Sequence, residues 1–246
     1  MPSRRLVSVA LVLTCAVVGL RATPAGAQPS NDQQRQAPPV PVDQEAGGWR
    51  GALIDSMRLL MLEHAGRIAF QEKTRRELGG PFFADYVNSL RIPRTWNDGD
   101  QWPVNYVGHP IHGAASGFIW IDHRPDESEL GFSTKAYWKS RGIAAAWIAG
   151  YSLQFEFGPL SEASIGNVGM NPATTGWVDH VVTPAGGMAF IVAEDALDRY
   201  LVIRVEQWTR NKVIRGIARV ALNPSRSLSN ITQGRMPWFR ATRPLR

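Results

Sequence analysis

The chain has 246 residues, enough for one domain with appendages, because a single hydrophobic core rarely grows beyond about 250 residues. Hydrophobic residues at 44% and charged residues at 20% exclude a disordered or collagen-like chain, and a mean hydropathy of -0.19 excludes an ordinary polytopic membrane protein. The formal net charge of +6 is unevenly placed: Arg199 to Arg246 carries 11 basic residues against Glu206 alone, whereas Gln28 to Asp198 carries 13 basic and 20 acidic residues. A basic stretch on an acidic body points either to a polyanionic partner or to the two halves pairing with each other.

The N-terminus opens with Arg4 and Arg5, continues as an apolar run from Leu6 to Leu20 and reaches Ala25, Gly26, Ala27, the small-x-small pattern of a cleaved signal peptide. Residues 1–27 are therefore expected to direct export to the periplasm or to an outer-membrane-associated position. A lipoprotein signal around Cys15 fits less well, since Leu13 and Thr14 stand where small residues are needed. Cys15 is the only cysteine, so the exported chain is expected to carry no disulfide and no thiolate site. Export leaves an anionic membrane surface or an envelope polymer as the expected partner, and no nucleic acid.

Residues 28–48, rich in Gln, Pro and Asp, read as a flexible leader, and the helical domain is expected over residues 49–222. Leu53, Ile54, Met57, Leu60, Met61, Ala65 and Ile68 recur at helical spacing, which predicts an amphipathic helix from Trp49 to the stop at Gly79, Gly80, Pro81, with its charges on the remaining face. A short helix follows from Phe82 to Leu90. Trp96 to Pro103 reads as a polar loop; its Asp98 and Asp100 lack the order of an EF-hand and fit a solvated turn.

Three Gly/Ala-rich segments, Gln101 to Ile121, Gly142 to Phe155 and His180 to Ala193, are nearly uncharged and predict the central helices of a mainly α bundle. His109 before Pro110 suits an N-cap. The second helix is expected to begin near Lys135 and stop at Gly158, and the third carries Pro184, where a kink is expected. The uncharged runs of the second and third are 14 residues long, about 21 Å, against a hydrocarbon core of roughly 30 Å. Gly113 and Gly117 on one helix, and Gly142, Ala146, Ala149 and Gly150 on another, are expected to allow close helix contact. The nine tryptophans suit an interfacial belt as well as a soluble core. Tyr200 to Trp208 reads as helix rather than strand. Arg210, Lys212, Arg215 and Arg219, interleaved with Val213, Ile214, Ile217 and Val220, then form a basic amphipathic helix suited to an anionic surface. Residues 223–246 read as a loop-like basic tail.

Polar groups stand out within the apolar helices. Glu156 lies between Phe155 and Phe157, with Ser152 one turn earlier; Asp179 and Thr183 share a face; His109 and His112 share another. Packing these faces together predicts one buried cluster with His109, Glu156 and Asp179 as the chemical core and Asn105, His112, Ser152, Glu162 and Thr183 around it. Three uses stay open: a hydrogen-bonded structural network, proton transfer in a hydrolase or transferase, or a metal held by His109, Glu156, Glu162 and Asp179. No motif indicates a cofactor: Walker, dinucleotide and H-E-x-x-H patterns are absent, and the serine of G-A-A-S-G is misplaced for a nucleophile elbow.

The segments N-Y-V-G-H-P-I-H-G from Asn105, S-L-Q-F-E-F-G-P from Ser152, S-E-A-S-I-G-N from Ser161 and D-H-V-V-T-P-A-G-G from Asp179, with N-P-S-R from Asn223, together resemble a bacterial domain family of unknown function found in exported, envelope-associated proteins of Gram-negative bacteria. The resemblance implies a helical domain with Asn105, His109, Glu156, Glu162, Asp179 and Gly187 at the family's characteristic positions, and it implies no known reaction.

Overall fold

The computed structural model describes residues 48–128 and 130–245; the expected signal peptide and all of the leader except Gly48 lie outside the described residues. Every regular element among the described residues is helical, so the chain is a mainly α bundle. Helix α1 spans Trp49–Phe70 and α2 Glu72–Glu77. The single helix expected to run to Gly79 is broken at Gln71, whose backbone is extended. Arg75 closes the break by donating to the Ile68 and Ala69 carbonyls at 3.1 and 2.9 Å, groups a helix end would otherwise leave unpaired. Helix α3 spans Phe82–Ser89.

A π-helical turn, Val104–Gly108, runs straight into α4, His109–Asp122. His109 is therefore not an N-cap: the backbone at Gly108 and His109 is already right-handed helical. Pro110 removes one donor from the hydrogen-bond ladder, and the wider turn sits just before that gap. Helix α5 covers Pro125–Ser128. Helix α6, Lys135–Phe157, starts where Thr134 Oγ1 accepts from the Tyr137 amide at 3.1 Å and ends at Gly158, as expected. Helix α7, Trp177–Leu197, contains Pro184 and continues through a second π turn, Asp198–Val202, into α8, Ile203–Trp208. Helices α9, Lys212–Leu222, and α10, Pro224–Thr232, complete the bundle.

Helix α4 is the hub, packed most closely on α7 and also on α6 and α10. The contact depends on missing side chains. A Cβ on Gly113 would lie 2.8 Å from the Thr183 carbonyl oxygen, and one on Gly117 would lie 2.6 Å from Ile191 Cδ1. The small face of α6 behaves otherwise: Gly142, Ala146 and Gly150 are exposed, and a Cβ on either glycine meets nothing within 4 Å. That helix contacts its neighbours through Ala144, Ile148, Tyr151, Ser152 and Phe155 instead.

The expected C-terminal tail is also corrected. Pro224 occupies the first turn of α10, and Glu194 on α7 accepts from the Ser225 and Arg226 amides at 2.8 and 3.0 Å, supplying the cap the helix lacks locally. Its Ser225, Ser227, Ser229 and Asn230 are buried.

The apolar stripe predicted for α1 points mostly outward; of its members Leu60 alone is fully buried, and Met57 packs half-buried against the core. Leu53, Ile54, Met61 and Ile68 are exposed, while the helix buries Ala52, Asp55, Ser56, Leu59 and Leu60. Helix α9 is turned in the same sense. Its Val213, Ile214 and Ile217 are exposed, whereas Arg219 is 0% exposed. The Arg219 guanidinium donates to Glu206 at 2.6 Å, to the Trp238 carbonyl at 2.9 Å and to the Arg243 carbonyl at 2.7 Å. Arg219 is thus an internal strut and not the membrane-facing cation expected; Arg210 and Lys212 remain exposed and Arg215 half-buried.

Candidate functional site

The N-terminus of α7 is fixed by a peptide segment rather than by a side-chain cap. The Trp177 and Val178 amides donate to the Thr95 and Trp96 carbonyls at 3.0 and 2.9 Å. A Cβ on Gly176 would lie 2.6 Å from the Asn97 carbonyl carbon and the Asp98 nitrogen, so this approach requires glycine. The docking places Asp98 beside Asp179, the third residue of α7, where the helix dipole favours an acid. Asn105, in the π turn before α4, donates from Nδ2 to Asp98 Oδ1 at 2.7 Å.

From α4, His109 directs Nε2 to a point 3.6 Å from Asp179 Oδ1, and its Nδ1 lies 3.4 Å from the Thr183 hydroxyl. Glu156 projects from the last turn of α6. Ligand atoms of His109, Glu156 and Asp179 all fall within 4.8 Å of one another, and all three residues are buried. The predicted meeting of imidazole and acids from three helices is therefore present. Ser152 ties α6 to α7 by donating to the Asp179 carbonyl at 3.3 Å. His112 packs edge-on against His109 with ring centroids 4.9 Å apart, its Nδ1 lying 3.7 Å from Glu63.

Charge in this interior is mostly acidic. Arg67 on α1 forms an ion pair with Glu162, which removes Glu162 from the expected ligand set. Arg67 also faces Glu156, Asp100, Glu63 and Asp179. Burial pushes the Glu156 carboxyl up, against the pull of Arg67. Asp179 is raised by burial, then by repulsion from Glu156 and by its hydrogen bond with Asp98. Asp98 moves the other way: burial would raise it, but hydrogen bonds from Asp179, Asn105 and backbone amides hold it below the usual carboxylate range. Burial lowers His109 to about 4, which keeps its imidazole neutral. Glu63, which accepts from the Tyr151 hydroxyl at 2.7 Å, is raised by burial to about 8.

Asp98, Glu63 and Arg67 were not among the expected site residues. The loop of Asp98 and Asp100 is the solvated turn predicted only in part: Gly99 and Asp100 are exposed, while docking on α7 buries Asp98. Glu63 and Arg67 lie one turn apart on α1, on the face that amphipathic logic assigns to water. Their i, i+4 spacing, in register with the buried Ser56 and Leu59, is the signal that would have found them. Arg210, Lys212 and Arg215 belong to the α9 end of the chain and do not enter the cluster.

A cleft of about 460 Å³ is lined mainly by Leu90, Ile92, Leu153, Phe157, Trp177 and His180; none of His109, Glu156 and Asp179 lines it, although Phe157 and His180 directly follow Glu156 and Asp179 in the chain. Comparison with protein-family models, with curated proteins and with solved structures finds no match for this chain.

Proposed function

We propose that the protein is an exported, non-spanning membrane protein of the cell envelope, a binding component that seats its apolar exterior in the interfacial layer of an anionic bilayer. One observation carries this reading: many polar groups are buried beside a small apolar core, while many large apolar side chains stand outside. Among the described residues, buried polar and charged side chains outnumber buried hydrophobic ones. Large apolar side chains are exposed on α1, α3, α6, α7, α9 and the π turn before α4. Seven tryptophans are exposed among the described residues, Trp208 on α8 at 80%, although tryptophan is a strongly buried residue in water-soluble domains.

A second copy of the chain would cover one patch; exposure spread over so many helices fits a continuous apolar medium. No described helix is long and apolar enough to cross a membrane, so the fitting geometry is helices lying in the interface. The exposed Trp208, Arg210 and Lys212 flank the apolar face of α9, which favours anionic headgroups. The polymer alternative rests on charge alone and does not account for the apolar surface.

Flotation with vesicles of phosphatidylethanolamine and phosphatidylglycerol (3:1) tests the reading. The purified protein is expected to float with the vesicles and to stay bound at 0.5 M salt. The double variant Val213→Asp, Ile217→Asp is expected to bind at least tenfold more weakly, since each side chain forfeits roughly 1.5 kcal/mol or more of burial. The charge variant Arg210→Gln, Lys212→Gln loses less. Wild-type protein left at the bottom of the gradient overturns the reading.

A further inference from the structure

We propose that His109, Glu156 and Asp179 together hold one divalent cation of the zinc class inside the helical domain, a metal centre built where α4, α6 and α7 meet. The proposal is independent of the membrane reading.

Three geometric observations support it. The donor atoms lie within 4.8 Å of one another. His109 Nε2 and Asp179 Oδ1 are 3.6 Å apart, too far for a hydrogen bond but close to the separation of about 3.3 Å that two ligands of a tetrahedral ion adopt when each sits about 2 Å from it. Asp179 Oδ1 is buried with no hydrogen-bond partner, on a side chain only 6% exposed, and it points at the imidazole. A buried carboxylate oxygen in a structural network finds a donor; this one is left open toward the other two ligands.

The surroundings suit a cation. Glu156, Asp179 and Asp98 are buried here, and the cation that faces Glu156 and Asp179 is Arg67, whose guanidinium is already paired with Glu162. A divalent charge among these acids removes the penalty of burying them together. Thr183 beside Nδ1 orients the ring so that Nε2 faces the acids, as outer partners do around metal ligands, and Asn105 holds the neighbouring Asp98 carboxylate in place. One nitrogen with two carboxylates selects a zinc-class ion over calcium or magnesium, which take oxygen alone. Three protein ligands leave a coordination position open.

The test uses the purified protein stripped with a chelator and titrated with cobalt(II), then with zinc(II) in competition. The expected result is one ion per chain, a visible cobalt spectrum of a four- or five-coordinate site, and one coordinated imidazole nitrogen by pulsed electron paramagnetic resonance. His109→Gln and Asp179→Asn should weaken binding roughly 100-fold or more, while Glu162→Gln, which removes no ligand, should lose no more than about tenfold. No stoichiometric ion in the wild-type protein overturns the proposal. So does a spectrum reporting no imidazole or two, a readout that stands even where a ligand variant fails to fold. Loss of binding in Glu162→Gln with retention in His109→Gln overturns it as well.

Discussion

Gly113→Val is expected to unfold or severely loosen the bundle, lowering the thermal midpoint by roughly 10 °C. The reason is the approach of α4 to α7. A Cβ at this position lies 2.8 Å from the Thr183 carbonyl oxygen and 3.0 Å from Ile148 Cγ2, so the helices must separate before either valine methyl finds room. Overpacking of this kind costs about 3 kcal/mol, and in a domain of this size each kcal/mol moves the midpoint by roughly 2–4 °C. The same separation carries Thr183 and Asp179 away from His109, so the imidazole–acid cluster opens with it. Gly142→Ala on α6 is the control: its Cβ meets nothing within 4 Å, and replacing a mid-helix glycine is expected to stabilise by roughly 0.5–1 kcal/mol. Calorimetric midpoints that are equal for the two variants would contradict the packing described for α4 and α7.

The second large effect is expected from Arg219→Met. Arg219 is fully buried and satisfies Glu206 together with the carbonyls of Trp238 and Arg243, joining α9 to the final segment of the chain. Methionine fills much of the volume but strands two carbonyls and removes one partner of Glu206, which keeps Arg243 at 2.9 Å. Breaking a buried pair of this kind costs about 3 kcal/mol. The loss should be local: the segment 233–245 becomes sensitive to protease while α4, α6 and α7 retain their protection. Arg219→Lys restores the charge but not the fork that reaches two carbonyls, and is expected to fall between. A protease-resistant C-terminus in Arg219→Met would mean that other contacts, such as Arg240 to Asp198 at 3.1 Å, hold the segment unaided.

Two kinds of signal were readable before any coordinates. Helix bounds followed from punctuation only in part: α6 begins at Lys135 and stops at Gly158 as expected, whereas α1 breaks at Gln71 and His109 is no N-cap. The cluster followed from polar residues placed in otherwise apolar helices, because burying His109, Glu156 and Asp179 singly would be costly. What sequence could not convey came from distant parts of the chain. The serine-rich stretch after Asn223 has poor helix propensity, and it is helical because Glu194 caps it from α7 and α4 covers it. Asp98 enters the site only through the pairing of residues 95–96 with the start of α7.

The amphipathic helices failed in a more informative way. The period was right for α1 and α9, but most of the apolar stripe faces out: on α1 only Leu60 of the stripe is fully buried, with Met57 half-buried beside it, and on α9 Arg219 is buried while Lys212 stays exposed. In α1 the apolar stripe of Leu53, Ile54 and Met61 faces out, and Glu63 and Arg67 face the interior. In α9, Val213 and Ile217 face out and Arg219 faces in. Assigning the apolar face to the core assumes that the surrounding solvent is water. Where the surroundings are apolar, the same pattern points the other way, and the interior is left to the polar groups that form the cluster.

The reversed faces of α1 and α9 are the central claim, and spin labels measure it most directly. Cys15 lies in the expected signal peptide, so a cysteine placed singly at Leu53, Ile217 or Arg58 gives one label per exported chain. On vesicles of phosphatidylethanolamine and phosphatidylglycerol, labels at positions 53 and 217 should collide with membrane-dissolved oxygen and be shielded from a water-soluble nickel chelate, while the label at position 58 remains open to the chelate. Labels at 53 and 217 as accessible to the chelate as the one at 58 would place both apolar faces in water and contradict the account.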